Sequence, residues 1–194
     1  YVVCTYTGRG FSGSGGEMDL LSDLEVEDTG RVYHAIREKY KHFIDTTNVT
    51  MMGKSYGGGI ALRSAYIPEC PFTSVVALSP FVKISDLLTN ETTKFALAQV
   101  FDLLATSMNC TVEAKDLLDT MKSITHTTKE KRDVLMNISS KRDTRNNKYF
   151  RAMTEGQHKV RTFFHFNGHD EILDPFFGFN LALDKYGCGS KLSP

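Results

Sequence analysis

Ser55 is the residue whose setting invites a chemical reading. It stands in Gly53-Lys54-Ser55-Tyr56-Gly57, behind the short apolar run "VTMM" and ahead of the small-residue stretch "GGGIALRSA". A serine among glycines suits three chemistries: a hydroxyl of a phosphate-binding loop, a neighbour of a nucleotide-binding loop, or a nucleophile. They differ in what must surround the serine.

A phosphate loop needs G-x-x-x-x-G-K-[ST], and "GKS" at 53–55 supplies only its end. The first glycine would fall at Asn48, and "VTMM" fills with a strand the room that a wrap of consecutive amides requires. A dinucleotide fingerprint is offered by Gly8, Gly10 and Gly13 of "GRGFSG", which satisfy G-x-G-x-x-G. That motif wants a helix beginning inside it, whose N-terminus meets the pyrophosphate, and an acid at the end of the next strand. More glycines follow here, and "VTMM" ends in Gly53. The third pattern, G-x-S-x-G, fits its flanks. A serine on a tight strand-to-helix turn is pushed out of the sheet, and glycines two residues away on either side let neighbouring backbones pass. The helix behind it presents free N–H groups, so the Tyr56 amide is placed to stabilise the oxyanion of a tetrahedral intermediate.

The elements that must position this turn can be read from periodicity. Residues 1–6 look like a buried strand, and the glycine-dense loop "TGRGFSGSGG" follows. A helix is expected from about Leu20 to Tyr40, with Val32, Ile36, Tyr40 and Phe43 on its inner face. Residues 49–52 form a second strand, 57–66 a helix closed by "IPECP", and "TSVVALSP" a third strand ended by Pro80. Strand, helix, strand, helix, strand is the rhythm of a mostly parallel sheet flanked by helices, an α/β fold.

The rhythm breaks at residue 84 and returns with "KVRTFFHFNGHD", residues 159–170, read as another buried strand. The intervening stretch, about seventy residues, is too long for a loop. It is rich in helix formers, as in "TTKFALAQVFDLLATSM" and "VEAKDLLDTMKSI", with Phe95, Val100 and Leu104 as inward residues. We expect three parts: a core over 1–83, a helical lid or cap insertion over 84–158, and the core continued over 159–194. Residues 175–186 form a last helix, with Pro175 at its start and Gly187 past its end.

Composition narrows the function classes. Lysine plus arginine equals aspartate plus glutamate at 23 each, so no net field favours nucleic acid or an acidic membrane. No apolar run approaches the roughly 20 residues that span a bilayer. The cysteines, Cys4, Cys70, Cys110 and Cys188, lie far apart without a C-x-x-C pair, so neither a metal site nor another cofactor is expected. Four N-x-[ST] sequons, at Asn48, Asn90, Asn109 and Asn137, point to the secretory pathway and suit equally an Asn- and Thr-rich chain. The abrupt apolar start and the turn-rich end "YGCGSKLSP", which reaches no further strand, lead us to expect a chain incomplete at both ends.

With the glycine loop included, the pattern resembles the α/β-hydrolase superfamily. "GRGFSGSGG" is similar to the R-G-x-G-x-S-x-G loop of the Xaa-Pro dipeptidyl-peptidase and cocaine-esterase group, and "GKSYGGGIALRSA" to that group's G-x-S-Y-G-G turn. "ALSPFVKISDL" is similar to the segment that follows. The resemblance spans about residues 1–90 and 159–186, and tripeptidyl and proline-iminopeptidase relatives share much of it. It implies Ser55 as nucleophile, the Tyr56 amide as oxyanion donor and Asp170 of "FNGHDEILDP" as the triad acid, with Asp174 in reserve. The family usually has glycine where this chain has Asn167, and an ordinary turn aspartate would also suit Asp170.

One departure bears on activity. The order implied is serine, acid, histidine, yet no histidine follows His169. His34 and His42 fall among charged helix residues, His126 in the insertion, His158 ahead of the strand, and His165 in mid-strand, a core position more often than a base. His169 adjoins Asp170 and is badly placed to be oriented by it. Without an imidazole to take its proton, Ser55 is a weak nucleophile. Two expectations follow. The first is a serine hydrolase acting on a small ester or peptide, its histidine and second oxyanion donor lying outside these residues. The second is a catalytically inactive hydrolase-like domain serving a protein partner as a binding or assembly module.

Overall fold

The computed structural model describes residues 1–82, 102–103, 105–124, 128–130, 133–134, 136–138, 148–155, 160–167 and 191–193. Its elements run α1 (Asp23–Tyr40), β1 (Thr50–Lys54), α2 (Tyr56–Ser64), β2 (Ser74–Leu78), α3 (Val112–Ile124), α4 (Lys148–Glu155), β3 (Arg161–Asn167) and β4 (Lys191–Ser193). The strands lie side by side in the order β1-β2-β3-β4, every pair parallel. Lys54, Leu78 and His165 share one register level, so the carboxyl ends of β1, β2 and β3 open on one edge of the sheet. A parallel pair needs a long crossover; α2 lies in the one between β1 and β2, and α3 and α4 lie in the one between β2 and β3.

Helix α1 begins where its sequence supplies a capping box. Ser22 Oγ accepts from the Glu25 amide at 3.4 Å, and Glu25 Oε2 accepts from the Ser22 amide at 2.8 Å. Asp23 and Glu25 in the first turn and Arg37 and Lys39 in the last complement the helix dipole. Its buried residues are Glu25, Val26, Thr29 and Gly30. Of the inner face expected from periodicity, Val32 and Ile36 are half-buried and Tyr40 is exposed. Phe43 lies beyond the helix and is 83% exposed. The core meets only the first half of α1, so the apolar stripe runs on past the surface it could cover.

Two apolar clusters hold the layers together. One joins Met18, Leu21 and Val26 to Ile60 and Phe81, and takes in Ala114, Leu117, Leu118 and Met121 from α3. The other sets Ala61 and Leu62 of α2 on Val75 and Ala77 of β2, with Phe150 and Met153 of α4. The segment "VEAKDLLDTMKSI" is helical as its spacing predicts, and its apolar side lies in the main core. Buried within α2, Arg63 donates to the carbonyls of Gly59 and Val82 and lies over the Phe150 ring at 5.3 Å. These carbonyls offset the cost of burying a cation.

Three expectations are corrected. Residues 1–6 form no strand: Tyr1 to Thr7 are exposed, and no described strand pairs with them. Apolar, β-branched composition favours a strand only where a neighbour accepts its backbone groups. Residues 161–167 are a strand with only one covered face, since Arg161, Phe163 and His165 are exposed while Phe166 is buried. His165 is therefore no core histidine. The turn-rich end does reach a strand, for Lys191–Ser193 pairs with His165–Asn167. Pairing overrides the weak local preference of "KLS". Phe95, Val100, Leu104 and the helix expected over 175–186 lie outside the described residues.

Candidate active site

Ser55 sits between the last residue of β1 and the first of α2, with φ 53° and ψ −118°. A side chain in that region is strained by about 1–3 kcal/mol and persists only where its surroundings hold it. Here they do. The Ser55 amide donates to the Leu78 carbonyl at 2.9 Å, and its own carbonyl accepts from Gly59 at 3.1 Å and from Phe81 at 2.8 Å. The turn is thus fastened to α2 behind it and to the chain leaving β2. The Ser55 side chain does not cap the helix, and the residue is exposed at the carboxyl edge of the sheet.

Three glycines around it leave no room for a side chain, and a Cβ on Gly58 would press on the Pro80 backbone at 2.9 Å. A Cβ on Gly53 would overlap the Gly57 carbonyl, and one on Gly59 would overlap the Phe81 carbonyl oxygen. The first overlap lets α2 begin immediately after β1, and the second lets the chain after β2 lie against α2. Gly57 differs from expectation, because a Cβ there would meet nothing within 4 Å. Its carbonyl makes the close approach, so the steric demand falls on Gly53.

Tyr56 opens α2, where amides have no acceptor within the helix. Its ring lies 6.1 Å from Phe11 and 6.2 Å from Phe81. Its hydroxyl donates to Glu25 Oε1 at 2.7 Å and accepts from the Leu21 amide at 2.7 Å. Desolvation, followed by the Glu25 charge, pushes the phenol well above its ordinary value, so it remains a donor at working pH. Burial also raises the Glu25 carboxyl, against the hydrogen bonds from Tyr56 and Ser22. The S-x-x-E spacing of Ser22 and Glu25 marks the cap in the sequence, but the second partnership of Glu25 spans 31 residues and leaves no local signal.

The glycine loop folds back beside this turn. Arg9 pairs with Asp28 at 2.7 and 2.9 Å, and the Gly10 carbonyl accepts from the Asn109 amide. The Asn109 carbonyl lies where a Cβ of Gly10 would be, so protein backbone takes the close approach that a pyrophosphate would need. No helix starts within the motif, since α1 begins at Asp23. Gly10 therefore serves packing, while Gly13, at φ 81°, supplies a left-handed turn residue with open space around it.

Asp170, Asp174, His169, His126 and His158 lie outside the described residues. β3, which precedes Asp170, ends at the same carboxyl edge as Ser55, two strands or about 10 Å across the sheet. His34 and His42 are exposed. Among the described residues, no three His, Cys, Asp or Glu side chains converge as metal ligands would. No helix among them is long and apolar enough to cross a membrane. An open groove of about 670 Å³ between the starts of α1, α3 and α4 has Asp19, Glu113, Lys148 and Arg151 on its walls, and Ser55 is not part of its lining.

Comparison with known proteins extends these observations. The family model for X-Pro dipeptidyl-peptidase (S15 family) matches residues 1–163. No curated protein matches the chain. Among solved structures, an esterase from Exiguobacterium antarcticum superposes with a TM-score of 0.52 at 14% identity, covering 96% of this chain and 69% of the esterase. A protein of unknown function from Staphylococcus aureus subsp. aureus Mu50 superposes with a TM-score of 0.53 at 15% identity, covering 91% of this chain and 62% of that one. The chain thus spans roughly two thirds of the solved structures it resembles. The fold is that of the α/β-hydrolases, a parallel sheet flanked by helices, here open and partial.

Proposed function

Since the chain belongs to the X-Pro dipeptidyl-peptidase (S15) family of hydrolases, we propose that it is the part of a serine hydrolase that carries the nucleophile, and that Ser55 is that nucleophile. The observation that carries the reading is the Ser55 backbone. A non-glycine residue held at φ 53° between a strand and a helix is strain retained at one exposed hydroxyl. Such a turn lifts Oγ above the sheet edge, where a substrate carbonyl can approach it, and directs the first amides of α2 at the same point.

In the proposed reaction Ser55 Oγ attacks the carbonyl carbon of an ester or amide, and the Tyr56 amide stabilises the oxyanion. Collapse expels the alcohol or amine and leaves an acyl-enzyme, which water then hydrolyses. The proton leaving Oγ needs an imidazole, and we assign that role to a histidine outside these 194 residues, oriented by Asp170. The family description makes a peptide with proline as its second residue the first substrate to try. Secretion, with glycans at some of Asn48, Asn90, Asn109 and Asn137, belongs to the same proposal, as does a cap formed by residues 84–158. No cofactor enters this chemistry.

The test is turnover by the full-length protein of X-Pro anilides and short-chain aryl esters, with and without Ser55→Ala. Hydrolysis abolished by the substitution supports the reading. A second reading is an inactive hydrolase fold used for binding. It predicts no turnover of either substrate class by the full-length protein.

A further inference from the structure

Two strained backbone segments meet at a single side chain. One is Ser55, at φ 53°. The other is the pair Leu20 and Leu21, at φ 51° and 64°, which leads into the Ser22 cap of α1. Consecutive non-glycine residues in the left-handed region are unusual and strained unless their surroundings hold them. The Tyr56 hydroxyl touches both sides of this junction. It accepts from the Leu21 amide and donates to Glu25, and Glu25 in turn accepts from the Ser22 amide. The phenol is carried by the residue that follows Ser55, so its place fixes the peptide between the two.

We infer that the Tyr56 phenol and Glu25 are positioning residues for the hydrolytic centre, holding the Ser55–Tyr56 peptide, and with it the oxyanion-binding amide, by anchoring it to the start of α1. The inference rests on the proposed role of Ser55. The geometry supports a positioning role over a packing one. The ring also packs against Phe11 and Phe81, but those contacts do not need the hydroxyl, which makes two 2.7 Å bonds to groups 31 and 35 residues away. Glu25 can serve both partners because its two carboxylate oxygens are divided, Oε1 to Tyr56 and Oε2 to Ser22. A glutamine offers one acceptor oxygen and must give up one of the two.

The experiment uses the full-length protein and three variants. Tyr56→Phe and Glu25→Gln should each lower kcat about tenfold on an aryl ester with KM changed less than twofold. Ser22→Ala removes the cap acceptor but leaves the Tyr56–Glu25 bond; it should lower the melting temperature while kcat per titrated active site stays within twofold of the parent. A second readout needs no turnover. Amide hydrogen exchange in peptides covering residues 17–24 and 52–58 should rise together in Tyr56→Phe, each by at least threefold. Exchange that rises in only one of the two peptides overturns the coupling. So does a kcat loss in Ser22→Ala equal to that in Tyr56→Phe, which would mean that the network only stabilises the fold. A parent protein without turnover contradicts the hydrolase reading instead, and the exchange measurement still decides the coupling.

Discussion

Ser55 and Leu78 are joined by a 2.9 Å hydrogen bond from the serine amide to the leucine carbonyl, one residue beyond the end of their strands' pairing. The ladder between β1 and β2 thus continues into the turn and holds Ser55 in a conformation that it would leave if free. Around that bond Gly53 lets α2 begin at once, Gly59 admits the returning chain, and Tyr56 ties the turn to α1.

The left-handed backbone at Ser55 separates stability from activity. Ser55→Gly should raise stability by about 1 kcal/mol, because glycine occupies this region without strain, while abolishing acylation. Urea denaturation of the two proteins checks it. A glycine variant less stable than the parent would show that the turn stores no strain at Ser55.

The two glycines of G-x-S-x-G should respond in opposite ways. Gly53→Ala forces a Cβ into the Gly57 carbonyl and should cost about 3 kcal/mol or more, the upper end of overpacking penalties. Gly57→Ala meets nothing within 4 Å in a helical position and should be neutral or stabilising by up to about 1 kcal/mol. Equal destabilisation by both would contradict the described approach of α2 to β1.

Helix α3 is tied to the main core. Leu118 is fully buried in the cluster that also holds Val26 of α1 and Ile60 of α2, and Leu118→Ala should destabilise the protein by about 2–5 kcal/mol in a single cooperative transition. A small separate transition, with the main one unmoved, would instead identify α3 as part of an autonomous cap.

Acid should loosen the tether between the glycine loop and α1. Desolvation pushes the Asp28 carboxyl up, but hydrogen bonds from Arg9 and Arg31 outweigh it and leave the group below its ordinary value. A carboxylate depressed in this way adds stability that is present above its unfolded value of about 3.9 and lost as pH falls through the folded one. Glu27, held down by Lys148, acts with the same sign. Glu25, raised by burial, acts oppositely, because folding favours its protonated form. Asp28→Asn should therefore lower the melting temperature at neutral pH and flatten its decline below about pH 4. Parallel curves for the two proteins would show that the Arg9–Asp28 pair contributes nothing.

Most of the sheet around Ser55 was legible because local signals agree with one another there. The strand "VTMM", the glycines and the small-residue helix each point to the same turn, and "TSVVAL" to the neighbouring strand. Residues 1–6 misled because a strand's existence depends on a partner, which composition does not encode. For "KLS" the same dependence worked in reverse. The inner face of α1 was misjudged because periodicity shows which side is apolar, not how far along its length a core will cover it. The Tyr56–Glu25 bond was hidden by its 31-residue separation. The expectation that the glycines on both sides of Ser55 give clearance holds for Gly53 and not for Gly57, because a five-residue motif does not say which of its glycines meets the other's carbonyl.

The central claim is that Ser55 is the nucleophile, and its most direct measurement is intact-protein mass spectrometry of the full-length protein after exposure to a fluorophosphonate. The account predicts one adduct per chain, on the peptide that contains Ser55, and none in Ser55→Ala. No adduct on the full-length protein, or an adduct that persists undiminished in Ser55→Ala, would contradict it.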